Sequence, residues 1–200
     1  MLVGKHMTEE PVTIKSDDML ETAREKMQKG NFRRLPVVED EKLLGIITDR
    51  DLRQYSGHLQ HTKVNSAMTE ELHTISPQTT LEEAAKQLLE HKIGGLPVME
   101  GKRLKGIITT SDILEAFLDL MGVNTTGTAR LDLIMGGDNQ NFAAMSQIIE
   151  AAGGDILGVG THRERWNDGP VFYVRVRAQD PKTIGGKLGQ EGYTVLGIQT

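Results

Sequence analysis

The sequence contains no cysteine, which excludes disulfides, thiolate metal sites, iron–sulfur clusters and cysteine nucleophiles together. Aromatic residues make up only 4%, so a core has to be assembled from Ile, Leu, Val, Met and Ala. The longest apolar runs are a few residues, far short of the roughly 20 that span a bilayer. The opening Met1-Leu2-Val3-Gly4-Lys5-His6 has no apolar stretch of signal-peptide length. A soluble, cytoplasmic protein without a membrane partner is the expectation. A net charge of −5 over 200 residues argues against nucleic-acid binding through a broad basic surface. The motifs of hydrolases, nucleotide triphosphatases and zinc proteases are missing. His58 and His61 stand three apart, with no cysteine or nearby carboxylate to complete a metal site. No catalytic residue, metal or cofactor is expected, and the protein is read as not an enzyme.

What is present is a repeat. Shifting the sequence by 61 residues superposes Met7-Thr8-Glu9-Glu10 on Met68-Thr69-Glu70-Glu71, and Leu35-Pro36-Val37 on Leu96-Pro97-Val98. Gly45-Ile46-Ile47-Thr48 falls on Gly106-Ile107-Ile108-Thr109, and Asp51 on Asp112. Between Val3 and Gln54, 20 of 52 positions are identical without a gap, too many for coincidence.

Each copy reads as β-α-β-β-α. Val12-Thr13-Ile14 reads as a short strand. Asp18 and Thr79 stand at equivalent N-cap positions, with Glu21 and Glu82 three residues on, as in a capping box. Leu20, Ala23 and Met27 form one apolar helix face; Leu81, Ala84, Ala85, Leu88 and Leu89 form the other. Gly30 suits a left-handed helix end. A strand over 35–38, a charged turn over 39–42 and a strand over 43–48 follow, and Asp49-Arg50-Asp51 opens the next helix. One such unit is small for a stable core. Two copies related by a pseudo-twofold would bury a shared sheet face, and the cleft between them would carry two quasi-equivalent sites. The expected boundaries are 1–60 and 61–122 for the copies, 123–128 for a linker and 129–200 for a further domain.

That last segment carries no echo of the repeat. Strands over 129–135, 155–164, 171–178 and 193–198 alternate with helices over 142–152 and after Asp180-Pro181, whose aspartate caps and whose proline suits the first turn. In the third strand Val171, Tyr173 and Arg175 are read as one face. The order β-α-β-β-α-β is the split βαβ, ferredoxin-like arrangement. The whole is α/β (α+β).

The sharpest chemical signal is Gly-Ile-Ile-Thr-x-x-Asp, present twice where a strand gives way to a helix. A helix start offers free N–H groups to a phosphate, a threonine hydroxyl can join them, and an aspartate can accept from a ribose diol. The competing reading makes Thr48 and Thr109 helix caps, with Asp51 and Asp112 as their partners. Arg33-Arg34 has Gly94-Gly95 as its counterpart, so the two halves differ in affinity for an anion if these pairs face the cleft. The other reading is an exposed arginine pair. Arg50, replaced by Ser111, has the same ambiguity.

The repeated pieces Met7-Thr8, Phe32-Arg33-Arg34-Leu35-Pro36-Val37-Val38 and Gly45-Ile46-Ile47-Thr48-Asp49-Arg50-Asp51-Leu52, with their echoes at 68–69, 93–98 and 106–113, resemble the CBS-domain family, whose pairs are called Bateman modules. The resemblance implies a pair that binds an adenine nucleotide (AMP, ADP, ATP) or S-adenosylmethionine and regulates an unidentified target protein. It implies ribose contacts from Asp51 and Asp112. It implies phosphate contacts from Thr48, Thr109, Arg33, Arg34 and Arg50, and base contacts from Thr13, Ile14, Thr74, Ile75, Pro36 and Pro97. The C-terminal unit is similar to an ACT domain, with Asp138, Asn139 and Asn141 as its effector loop, and a homodimer is expected. The alternative function is a structural dimerisation or docking module without a small-molecule ligand.

Overall fold

The two Leu-Pro-Val strands pair with the two Gly-Ile-Ile-Thr strands, and every other element of the repeats is arranged around these hairpins. The computed structural model describes residues 1–135, 140–163 and 170–200, without the side chains of His162 and Arg163. Asp138 and Asn139 of the expected effector loop lie outside these residues. The chain divides into two compact units, Met1–Leu114 and Glu115–Thr200. The division falls inside a helix, ahead of the segment 123–128 expected as linker.

In the first unit, β2 (Arg34–Glu39) pairs antiparallel with β3 (Lys42–Thr48), and β4 (Gly95–Glu100) with β5 (Arg103–Thr109), in matching registers that both shift before the turn. The first turn places Asp40 and Glu41 at positive φ, as a type I′ turn requires, whereas the second places only Gly101 there. Preceding each hairpin is a helix, α1 (Leu20–Gly30) or α3 (Leu81–Glu90), and following it is α2 (Asp49–Gln54) or α4 (Thr110–Leu120). Leu20, Ala23 and Met27 of α1 and Leu81, Ala84 and Leu88 of α3 are buried, as the helical spacing predicts.

Several local expectations are corrected. Val12-Thr13-Ile14 is not a strand: only Ile14 makes a bridge, parallel to Val37, as Ile75 does to Val98. The helix caps move by one residue, to Met19 and Thr80. Asp18 Oδ2 and Thr79 Oγ1 instead accept from the backbone N–H of Lys15 and Ser76, closing the turn before each helix. The left-handed residue after α1 is Asn31, not Gly30, and its counterpart Lys92 has the same conformation. Leu89 turns outward and is 78% exposed.

The pseudo-twofold works by exchange. β1 (Thr8–Glu9), in the first repeat, adds to β5 of the second, with Thr8 opposite Ile107. Thr69, its counterpart, bridges Ile46 of β3 in the first. Further upstream, Val3 N–H donates to Thr79 O and Val64 N–H to Asp18 O, both at 2.9 Å. Val64 therefore packs in the core of the first repeat, with Ile14, Leu20 and Leu35. Each crossing segment covers a strand edge that would otherwise be open.

The same crossing explains a glycine in each motif. A Cβ on Gly45 would stand 2.9 Å from Thr69 O, and one on Gly106 2.8 Å from Thr8 O. Gly45→Ala is expected to destabilise the first unit by about 1–3 kcal/mol through overpacking. Urea melts of Gly45→Ala and Gly106→Ala should show similar losses, because the two crossings are equivalent.

In the second unit, β6 (Thr128–Ile134), α5 (Phe142–Ala151), β7 (Asp155–Arg163), β8 (Pro170–Arg177), α6 (Pro181–Gln190) and β9 (Thr194–Gln199) follow the expected β-α-β-β-α-β order. The sheet order is β7-β8-β6-β9, antiparallel throughout. Leu131, Leu133, Met145, Ile149, Ile184 and Leu188 fill its core. The core face of β8 carries Phe172, Val174 and Val176, opposite the face of Val171, Tyr173 and Arg175. Phe142, at the start of α5, is half exposed. Asp180 caps α6 by accepting from the N–H groups of Lys182 and Thr183. No helix among the described residues is long and apolar enough to cross a membrane.

Candidate functional site

At each strand-to-helix junction the threonine and the aspartate are locked together. Thr48 gives both its N–H and its hydroxyl to Asp51 Oδ2, at 2.8 and 2.6 Å. Thr109 does the same to Asp112 Oδ2, at 2.7 and 2.8 Å. This is the capping arrangement that was the competing reading of the motif, and it is present twice. It engages only one carboxylate oxygen. No hydrogen bond reaches Oδ1 of either aspartate among the described residues, so each keeps a full acceptor. The threonine hydroxyl hydrogens are engaged, and a phosphate contact from them requires that bond to be exchanged.

Each junction opens on a cavity between the repeats. The cavity at Asp112 has a volume of about 430 Å3, and the one at Asp51 about 530 Å3. Every residue lining the first has its counterpart, 61 positions away, lining the second. The walls are built across the dyad. Asp112 and Thr109 from the second repeat meet Phe32 and Pro36 from the first. Asp51 and Thr48 from the first meet Ile93 and Pro97 from the second.

Arg33 and Arg34 line both cavities. Arg34 crosses between the repeats, and its Nη1 donates to the carbonyl oxygen of Gly94. A Cβ on Gly94 or Gly95 would run into the Arg34 guanidinium. The mismatch between Arg33-Arg34 and Gly94-Gly95 is thus a fit of one pair into the other: the glycines leave the space that the arginine occupies. Burial, and to a lesser degree Arg33, push the Arg34 pKa below its ordinary value, while Asp49 and Asp112 oppose the shift. One cation at the axis is available to an anion on either side.

Of the expected base contacts, Pro36 and Pro97 line the cavities, but Thr13, Ile14, Thr74 and Ile75 do not. Ile14 and Ile75 are buried, and their backbones are already paired with the hairpin strands: Ile14 N–H donates to Pro36 O, and Val38 N–H to Ile14 O. The carbonyl of Thr13 accepts from Lys26 Nζ at 2.9 Å. The lining residues lie just upstream, Pro11-Val12 in one cavity and Leu72-His73 in the other. The sequence contained a signal for them, since Pro11-Val12 and Leu72-His73 are mismatched between otherwise similar segments. His73 stacks on His91 with ring centroids 3.5 Å apart. Arg50 lines the cavity at Asp51. In the second unit, Asn141 caps α5 by accepting from Ala144 N–H at 3.0 Å.

The model of the CBS domain matches residues 3–58 and 64–119, more than half of the sequence. The chain belongs to the CBS-domain family. A CBS domain-containing protein of Dictyostelium discoideum is 35% identical over 136 residues, covering 60% of this chain and 94% of its own. The inosine-5'-monophosphate dehydrogenase of Bacillus subtilis is 44% identical over 108 residues, 52% of this chain but only 22% of that enzyme. Among solved structures, a Vibrio cholerae protein named for acetoin utilization (AcuB) is 33% identical with a TM-score of 0.56, covering 62% of this chain and 94% of its own. The CBS domain pair of protein MJ0100, solved with 5'-methylthioadenosine and S-adenosyl-L-methionine, is 28% identical with a TM-score of 0.55, covering 58% and 95%. CBSX2, solved with AMP, is 30% identical with a TM-score of 0.56, covering 60% and 98%. This CBS pair thus has structural neighbours that bind adenosine compounds.

Proposed function

We propose that the chain is a non-catalytic regulatory protein whose CBS pair senses adenosine compounds. The observation that carries this reading is the pair of equivalent cavities, each with a free aspartate Oδ1 at one end and sharing the Arg33-Arg34 pair. A ribose diol donates to the aspartate, and a phosphate accepts from the arginines. Pro36 and Pro97 offer apolar contact to a base. The adenosine ligands in the MJ0100 and CBSX2 structures support the same class. The C-terminal unit, with its β-α-β-β-α-β order, is read as an ACT-type domain that pairs two copies of the chain or takes a second effector at Asn141 and the neighbouring Asp138 and Asn139. The CBS pair followed by such a unit resembles the layout of the acetoin-utilization B protein, and the pair is read as regulating a separate target protein. Ligand binding transmits a signal only if it favours one arrangement of the two repeats.

A docking module without a small-molecule ligand is the second reading. It is favoured by Leu89 and Leu114, which are 78% and 57% exposed where the first repeat has Gln28 and Arg53. Thermal unfolding with AMP, ATP and S-adenosylmethionine separates the two. A ligand at 100 times its Kd should stabilise the fold by about 2.7 kcal/mol. Unfolding unmoved by all three would leave the docking reading.

A further inference from the structure

We propose that the two cavities take unlike ligands: the one at Asp51 a nucleoside di- or triphosphate, the one at Asp112 an adenosine compound with no more than one phosphate. This rests on the adenosine reading above and names the ligand class of each site.

Equivalent positions of the two cavities differ in charge. Arg50 in the cavity at Asp51 corresponds to Ser111 in the other, and Lys92 to Asn31. Neither Arg50 nor Lys92 has an ion-pair partner among the described residues. Arg53, which also lines that cavity, is held by Asp49 at 2.8 Å and adds little. The cavity at Asp51 therefore has two uncommitted cations beyond the shared Arg33 and Arg34. Its counterpart has neutral side chains at both places, and Phe32 where the other has Ile93. The shared arginines match one phosphate in either cavity. Further phosphates find partners only beside Asp51. The larger of the two volumes is also on that side.

Calorimetric titration of the full chain with ATP and with AMP tests the assignment. The ATP site should be lost in Asp51→Ala and kept in Asp112→Ala. The double variant Arg50→Ser/Lys92→Asn should weaken ATP by roughly tenfold, since each exposed cation contributes up to about 1 kcal/mol, and should change AMP by under about twofold at the other cavity. Added salt should weaken ATP more than AMP. The reciprocal Ser111→Arg/Asn31→Lys should confer ATP binding on the cavity at Asp112. Asn31 already has the left-handed backbone that Lys92 adopts, with φ of 51° and 53°, so this gain does not depend on a damaged fold. ATP binding that follows Asp112, or an ATP-to-AMP ratio unmoved by both double variants, overturns the division and leaves the adenosine reading standing. A parent chain that binds neither nucleotide nor S-adenosylmethionine overturns both.

Discussion

Asp51→Ala and Asp112→Ala should each weaken adenosine binding at its own cavity by about ten- to a hundredfold, the scale of a lost charge-assisted hydrogen bond at 1.5–3 kcal/mol. The two oxygens of each carboxylate do different work. Oδ2 holds the threonine N–H and hydroxyl, and Oδ1 accepts no hydrogen bond among the described residues. Alanine removes both, so it should also cost stability, about 1 kcal/mol for a lost cap. Asparagine separates the roles. Its one carbonyl oxygen can keep the threonine contacts while an amide N–H2 replaces the acceptor for the ribose. Asp51→Asn and Asp112→Asn should melt close to the parent and still bind AMP poorly in calorimetry. If all four variants bind as the parent does, the aspartates are helix caps alone and the site assignment is wrong.

Val64→Ala is expected to cost about 2 kcal/mol, as for other fully buried aliphatic truncations, and the damage should appear in the other repeat. Val64 opens the second copy in sequence but is fully buried with Ile14, Leu20 and Leu35 of the first. Its N–H donates to Asp18 O, and the neighbouring Thr62 O accepts from Leu20 N–H. Hydrogen exchange should therefore lose protection in α1 and β2 before α3 and β4. Loss confined to α3 and β4 would mean that the crossing does not carry the first repeat's core.

The repeat, the hairpins and the two threonine–aspartate junctions were legible in the sequence because each rests on local chemistry: a 61-residue echo, strand periodicity, a cap three residues from its partner. The axial features were not, because they depend on what one copy places against the other. Gly94-Gly95 reads alone as a loss of two arginines. Only the Arg34 side chain crossing the dyad explains why glycine stands there. Gly45 and Gly106 read as parts of a motif, although the space they leave is filled by Thr69 and Thr8 from the opposite repeat. Thr13-Ile14 and Thr74-Ile75, expected to contact a base, are repeated pairs that stand two residues beyond the cavity-lining Pro11-Val12 and Leu72-His73. Repetition there reflects the core and the hairpin pairing of Ile14 and Ile75. The cavity walls mix repeated positions, such as Thr48/Thr109 and Pro36/Pro97, with positions that differ, such as Val12/His73 and Ser111/Arg50.

The exchange of leading segments also sets an order for synthesis. When Thr48 and Asp51 have emerged from the ribosome, the first hairpin can close, but Val64 and Thr69, which fill and edge that half, are still enclosed in it. The first copy then exposes a gap beside Ile14 and Leu20 and an unpaired edge at Ile46. It is completed only by residues that belong to its successor. The second copy has its partner segment, Met1 to Glu9, waiting from the start. Nascent chains stalled between the copies are therefore the ones expected to need chaperones or to pair with one another, since an open edge and an unfilled core favour aggregation.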